Sequence, residues 1–343
     1  MITSETTGVR EGGGNILDAE MARMEIIAPA FVREAISRLG RTEDLRFSPD
    51  NRKLAVAGFV ANTCMIFDIE VDRSAARPVV RLNDFIEIRS DSFKGPHGLD
   101  FIGGNLLLVA NRCGGISLFA MPERPAESRV VHVRPIREVR RISLLRRLNS
   151  PGSLCVLSAS DDQVEILVCN NYSHRITRHV IPIHAGLCRP QNDIFLNQGF
   201  QIPDGIAINP DKSWLAISNH STHSVLMFDL KAGLEPSSVA VGHLTGMAYP
   251  HGIRFSEDGR RFFVADAGAP SVHVYEADGA GWRGERGTIR SLAVLSEETY
   301  LKGRVSPQEG GPKGIDLNAA GDVLAVTCHE QPLAFFHLPE LVG

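Results

Sequence analysis

A six-residue frame recurs along the chain: proline, any residue, glycine, an aliphatic residue, any residue, an apolar residue. It reads PHGLDF at Pro96, PDGIAI at Pro203, PHGIRF at Pro250 and PKGIDL at Pro312. A weaker copy, PGSLCV, starts at Pro151, and the weakest, TEDLRF, spans 42–47. Steps between copies run from 47 to 62 residues. Repetition at this period marks a fold built from one supersecondary unit stacked on itself. After the frame comes a polar turn, such as SPDN at 48–51, NPDK at 209–212 or SEDG at 256–259. These carry the Pro, Asp and Gly that tight turns need. Two apolar runs follow, for example WLAISN then SVLMFDL, five to seven residues each and too short for helices. Fourth strands are less regular, with PVVRLN (78–83) and SRVVHV (128–133) as candidates.

Six units of four short antiparallel strands, with no long helical pattern, predict an all-β, six-bladed β-propeller. Residues 21–343 form one domain, with blades starting near 43, 97, 152, 204, 251 and 313, and residues 1–20 form a disordered leader rich in Thr, Glu and Gly. The chain stops soon after the third strand of the last blade, so residues 21–31 are expected to supply that blade's outer strand. FVREAISRLG (31–40) has the apolar spacing of one short amphipathic helix, stopped by Gly40.

In a propeller the first strand of each blade lines the central channel. The variable residue of the frame sits where that strand begins, so six of them ring one mouth: Glu43, His97, Gly152, Asp204, His251 and Lys313. His97 faces His251 across the ring, and Glu43 faces Asp204. Two histidines and two carboxylates are metal-ligand types, and mixed N and O donors suit one divalent Zn, Mn, Fe or Ni better than Ca. An ammonium at Lys313 is repelled by a cation, so it holds an anionic substrate or pairs with Glu43. Polar residues that merely hold channel water are the plainer reading.

A second tier opens at the same mouth after each second strand: Gly58-Phe59, Asn111-Arg112, Asn170-Asn171, Asn219-His220, Asp266-Ala267 and Cys328-His329. Arg112 can clamp a carboxylate or phosphate bidentately, with Asn111, Asn171 and Asn219 as further substrate contacts. His220 and His329 are candidate proton carriers beside Asp204. The Asn and Asp residues equally fit local turns to the backbone. The long connections 189–202 and 295–311 are expected to be loops leading into this face. VRPIREVRRISLLRR (133–147) holds six arginines and reads as an outer strand and connection with solvated charges.

Net charge is −4, which gives no global pull toward nucleic acid or an anionic membrane. No stretch is apolar enough to span a bilayer. The six scattered cysteines (Cys64, Cys113, Cys155, Cys169, Cys188, Cys328) form no C-x-x-C pair and read as reduced thiols in a cytoplasmic setting. The chain lacks G-x-S-x-G, H-E-x-x-H, G-x-G-x-x-G and a P-loop.

The frame, together with PDG and the VAN/VAD run endings, resembles the six-bladed NHL and SMP-30/gluconolactonase-like propellers over about residues 42–338. That resemblance implies an axial divalent metal held largely from the variable column, with Glu43 and Asp204 as ligands and Asp204 also a candidate base. The peptidylglycine lyase branch holds zinc through histidines in such frames, which His97 and His251 resemble. The run VANR to ISLF (109–119) is also similar to seven-bladed lactonases, but six frames argue against seven blades. The expected function is metal-dependent hydrolysis of a lactone or ester in a small anionic molecule. A lyase step or a non-catalytic, protein- or peptide-binding propeller are the alternatives.

Overall fold

The computed structural model describes residues 20–74, 77–123, 125, 127–184 and 190–342. The leader, apart from its last residue, and Cys188 lie outside them. The six frames become six inner strands: Thr42–Phe47, Pro96–Ile102, Pro151–Ala159, Pro203–Ile208, Pro250–Phe255 and Ile315–Leu317. Each heads its own antiparallel sheet, and the inner strands pack in the cyclic order 1-2-3-4-5-6-1, closing the ring of a six-bladed β-propeller. Apolar side chains fill the gaps between neighbouring blades, as in the cluster of Leu99, Phe101, Phe93 and Phe119 with Ile66 and Ile88.

The frame has a structural cause. In blades 1 to 5 the register slips at the same place, between Thr42 and Leu45, Pro96 and Leu99, Pro151 and Leu154, Pro203 and Ile206, and Pro250 and Ile253. Two residues there oppose one on the second strand, which is a β-bulge that re-aims a side chain. The variable residue sits in the bulge and turns to the axis. The glycine after it lies against the next blade. A Cβ on Gly98 would fall 2.5 Å from Ser153 Cα, and one on Gly252 would fall 2.3 Å from the Lys313 carbonyl oxygen. Inner strands approach too closely there for a side chain.

The blades differ at their edges. Blades 2, 3 and 5 have four strands, and blade 6 has three of its own. Met24 N donates to Phe335 O, and Arg23 bridges Phe336 antiparallel, so only this short stretch lies along blade 6. Ile26–Ile27 then crosses to run parallel with the outer strand of blade 1, Val79–Arg89, at Val80 and Arg81. That corrects the expectation that 21–31 forms the outer strand of the last blade: the eleven-residue outer strand of blade 1 offers a longer open edge. The helix Ala30–Arg38 packs Val32 and Ala35 into the blade 1 core, and Gly40 (φ +58°) ends it.

SRVVHV is not the outer strand of blade 2. Its Val130–His132 pairs in parallel with blade 1, while Arg137–Val139 closes blade 2. Gly284–Arg286 covers the edge of blade 4 in the same way. Both segments hide backbone groups that an open edge would expose. The connection expected at 189–202 contains the outer strand of blade 3, Gln191–Leu196. Among the described residues no helix is long and apolar enough to cross a membrane.

Candidate metal centre

Glu43, His97, Asp204, His251 and Lys313 are all buried at the head of the inner strands. His97 and His251 face each other with ring centroids 5.3 Å apart. His251 Nε2 lies 3.4 Å from Glu43 Oε2 and 3.2 Å from Asp204 Oδ2. His97 Nε2 lies 3.6 Å from Glu43 Oε2 and 4.0 Å from Asp204 Oδ1. Ligating atoms of Glu43, His97 and His251 all fall within 4.8 Å of one another, so this buried triad could hold a metal ion.

The donor set fits such an ion. Four ligands at about 2.1 Å around a tetrahedral Zn-like ion stand about 3.4 Å apart, close to the spacings here. Glu43 Oε2 is buried between the two imidazoles with no contact of good hydrogen-bond geometry, although Lys313 Nζ lies 3.1 Å away, which leaves it free to exchange that ion pair for a metal. A cavity of about 10 Å³ lies among Glu43, His97, Asp204 and His251, room for one small ion or one water.

Glycine at position 152 makes room for the rest of the ring. A Cβ there would fall 2.3 Å from Asn171 Oδ1 and 2.7 Å from Asp204 Oδ1. Asn171 Nδ2 uses that space to donate to Asp204 Oδ1 at 3.0 Å, while Asn171 Oδ1 is left buried without a partner.

In blades 2 to 4 the second-tier pair divides its labour. The first member ties down the turn before the frame. Asn111 Oδ1 accepts from Lys94 N, Asn170 Oδ1 from Asn149 N, Asn219 Oδ1 from Gln201 N, and Asp266 Oδ2 from Ala248 N. Asn111 and Asn219 are therefore occupied by backbone rather than turned to the channel. The second member reaches the ring. Arg112 Nη1 donates to His97 Nε2 at 2.8 Å, which places the His97 proton on Nδ1; an ion held through Nε2 would take this lone pair and release the Arg112 bond. His220 Nδ1 donates to Pro250 O at 3.3 Å and sets its ring edge-on to His251. Phe59 stands edge-on to His97. His329 points elsewhere, with Nε2 3.9 Å from Glu330.

Two residues missed in the sequence complete the electrostatics. Arg41 Nε pairs with Glu43 Oε1, and Arg41 Nη2 lies 3.0 Å from Glu309 Oε1. Lys313 Nζ bridges Glu43 Oε2 at 3.1 Å and Glu309 Oε2 at 2.9 Å. Glu309 comes from the 295–311 connection, which also holds the helix Glu297–Gly303. Burial alone would raise the Glu43 carboxyl, but Lys313, the His251 hydrogen bond, His97 and Arg41 hold it well below the usual range. Burial would likewise raise Asp204, and His251, His97, Arg112 and His220 hold it low. Burial pushes His97 down to about 3 and lowers His220, so both imidazoles are neutral at physiological pH.

The fold is that of a six-bladed β-propeller, and the site is a buried His/Glu group of the kind that takes a metal. No family model matches the chain, and no curated protein does. Among solved structures it is similar to a functionally unknown protein from Desulfotomaculum acetoxidans DSM 771, at 13% identity and TM-score 0.51, over 87% of this chain and 83% of that one. That likeness shows the fold alone.

Proposed function

We propose that the protein is a metal-dependent enzyme that opens a lactone or ester in a small anionic molecule at the channel mouth. The observation that carries this is the buried meeting of Glu43, His97 and His251, from blades 1, 2 and 5, with their ligating atoms within 4.8 Å of one another. A divalent ion bound there supplies Lewis acidity to a carbonyl and makes water acidic. His220 carries its proton on Nδ1, so its Nε2 lone pair is free to accept a proton from an attacking water. Asp204 stays ionised and orients the His251 ring. Arg112, anchored beside His97, turns its fork toward an incoming carboxylate or phosphate.

Charge counting supports an anionic substrate. Glu43, Asp204 and Glu309 balance Arg41, Arg112 and Lys313 around the ring. A divalent ion adds two positive charges to a buried place, and an anion offsets them. The SMP-30/gluconolactonase-like resemblance supports hydrolysis by likeness of fold and frame. The facing histidines favour the second reading, an elimination of the peptidylglycine lyase kind.

The test is elemental analysis of protein purified without a histidine tag. We expect about one divalent ion per chain, and its loss from the His97→Ala/His251→Ala variant with the circular dichroism of the fold retained. Carboxylate-bearing lactones and esters are then assayed in a pH-stat together with ultraviolet absorption: either route releases acid, and only elimination also creates a conjugated double bond that absorbs. Metal-free wild type whose melting is indifferent to chelator would sink the proposal in favour of a binding propeller.

A further inference from the structure

A cavity of about 760 Å³ opens beside the metal cage between blades 2 and 3. Its volume is that of a small-molecule site. Five cations line it, Lys94, Arg112, Arg140, Arg141 and Arg147, against the single acid Glu138. Arg140 Nη2 spends its charge on Glu138 at 2.9 and 3.0 Å. Arg141 Nη1 bonds the Leu144 carbonyl, within a tight hairpin pinned by an Arg141 to Arg147 bridge. Among the described residues neither Lys94 nor Arg147 has an ion-pair partner. Arginines that the sequence assigns to a solvated outer edge are thus folded into a concavity. Like charges gathered in a hollow repel one another and focus a positive field inward, on a protein whose net charge is −4.

Arg112 is common to the cavity and the cage, because the same guanidinium that lines the cavity bonds His97. Its other side lies 5.7 Å from the Tyr172 ring centroid, and Tyr172 and Phe59 give the cavity aromatic walls. We propose that this cavity is a polyanion subsite. It takes a small molecule bearing several carboxylate or phosphoryl groups, whose anionic end rests among Lys94, Arg112 and Arg147 while its reacting end meets the cage. This rests on the proposed function for the reacting end only. The anion subsite stands on the cavity and its unpaired cations.

The probe is 1,3,6,8-pyrenetetrasulfonate, a flat tetraanion that does not chelate metals, followed by fluorescence polarisation on the full chain. We expect saturable one-to-one binding that weakens at least tenfold in Lys94→Gln/Arg147→Gln. A control, Lys212→Gln/Arg260→Gln, removes the same charge from exposed turns after the inner strands of blades 4 and 5. It is expected to bind within twofold of wild type. Displacement by tricarballylate identifies carboxylates as the recognised groups, and displacement by inorganic triphosphate identifies phosphoryl groups. Equal weakening in both double variants, no saturable binding, or displacement by neither competitor overturns the subsite. His251→Ala, which leaves the contact between His97 and Arg112 in place, is expected to weaken metal binding and keep probe binding, so loss of the metal reading and loss of this one are separately visible.

Discussion

The inner strands carry two charged layers, and they behave in opposite ways. The first is the ring of Glu43, His97, Asp204, His251 and Lys313. The second lies three residues further along each strand and comprises Arg46, Asp100, Arg254 and Asp316, joined by Asp44. In the second layer every carboxylate is finished: Asp44 accepts from Leu45 N and Leu99 N, Asp316 from Phe47 N, and Asp100 from Val156 N. Arg46 Nη1 lies 3.1 Å from Asp44, and Arg254 Nε lies 2.9 Å from Asp316. No imidazole takes part. In the first layer Glu43 Oε2 has an ion pair with Lys313 but no well-formed hydrogen bond, and two imidazoles face it. Carboxylates satisfied by backbone N–H groups seal the channel, although Arg254 Nη2 beside them lacks a hydrogen bond, whereas the upper ones face imidazoles that could share a ligand.

Their proton affinities differ accordingly. Three carboxyls against two guanidiniums leave one negative charge too many, and burial raises Asp44, Asp100 and Asp316 to about 6. The upper carboxyls Glu43 and Asp204 go the other way, because cations and histidines surround them.

The contrast breaks first at Arg46. Arg46→Ala strands three buried carboxyls and is expected to cost about 3–5 kcal/mol in urea unfolding while leaving the metal stoichiometry of the surviving folded protein unchanged. A cost under about 1 kcal/mol would mean that the lower layer is no seal.

Asp316 reads the same layer through pH. Its folded carboxyl is raised above its unfolded value, so its contribution is most favourable below about pH 4 and is lost as pH rises through about 6. Asp316→Asn removes that dependence. Between pH 4 and pH 7 the stability difference should move in favour of the variant by up to about 3 kcal/mol. A difference that stays flat with pH contradicts the raised carboxyl.

Glu43→Gln tests the upper layer with little change in shape. Loss of the anionic oxygen should weaken divalent-metal binding at least tenfold, about 1.4 kcal/mol, by competition with a chelating dye. Unaltered affinity would remove Glu43 from the cage. The smallest effect separates the two kinds of second-tier asparagine. Asn111→Ala frees Lys94 N and should cost about 1 kcal/mol of stability with metal affinity unchanged. Asn171→Ala faces Asp204 and should alter metal affinity more than stability. The reverse pattern would exchange their roles.

Much of this was legible in the residues. Six frames give six blades, and the variable column gives the ring, including the Lys313–Glu43 pair. The second tier was legible only as pairs, because Asn111 and Arg112 are both polar and only the register decides which one turns inward. Arg41 and Glu309 were not legible. Arg41 precedes the weakest frame, and Glu309 sits in a connection with no periodicity. The parallel edge segments at 130–132 and 284–286 pair through three residues of backbone, which leaves no side-chain signature. The lower layer escaped because strict alternation places the next channel residue two positions on, and here it stands three positions on.

That spacing follows from the bulge. Pair the strand in simple alternation with every residue kept, and Leu99 and Phe101 would swing onto the axis behind His97. Leu45 with Phe47, and Ile253 with Phe255, would do likewise in their own blades. Those side chains now form the oily walls between blades. One surplus residue shifts the phase of the strand, and so a single short segment can wet a pore at one end and grease a joint along the rest.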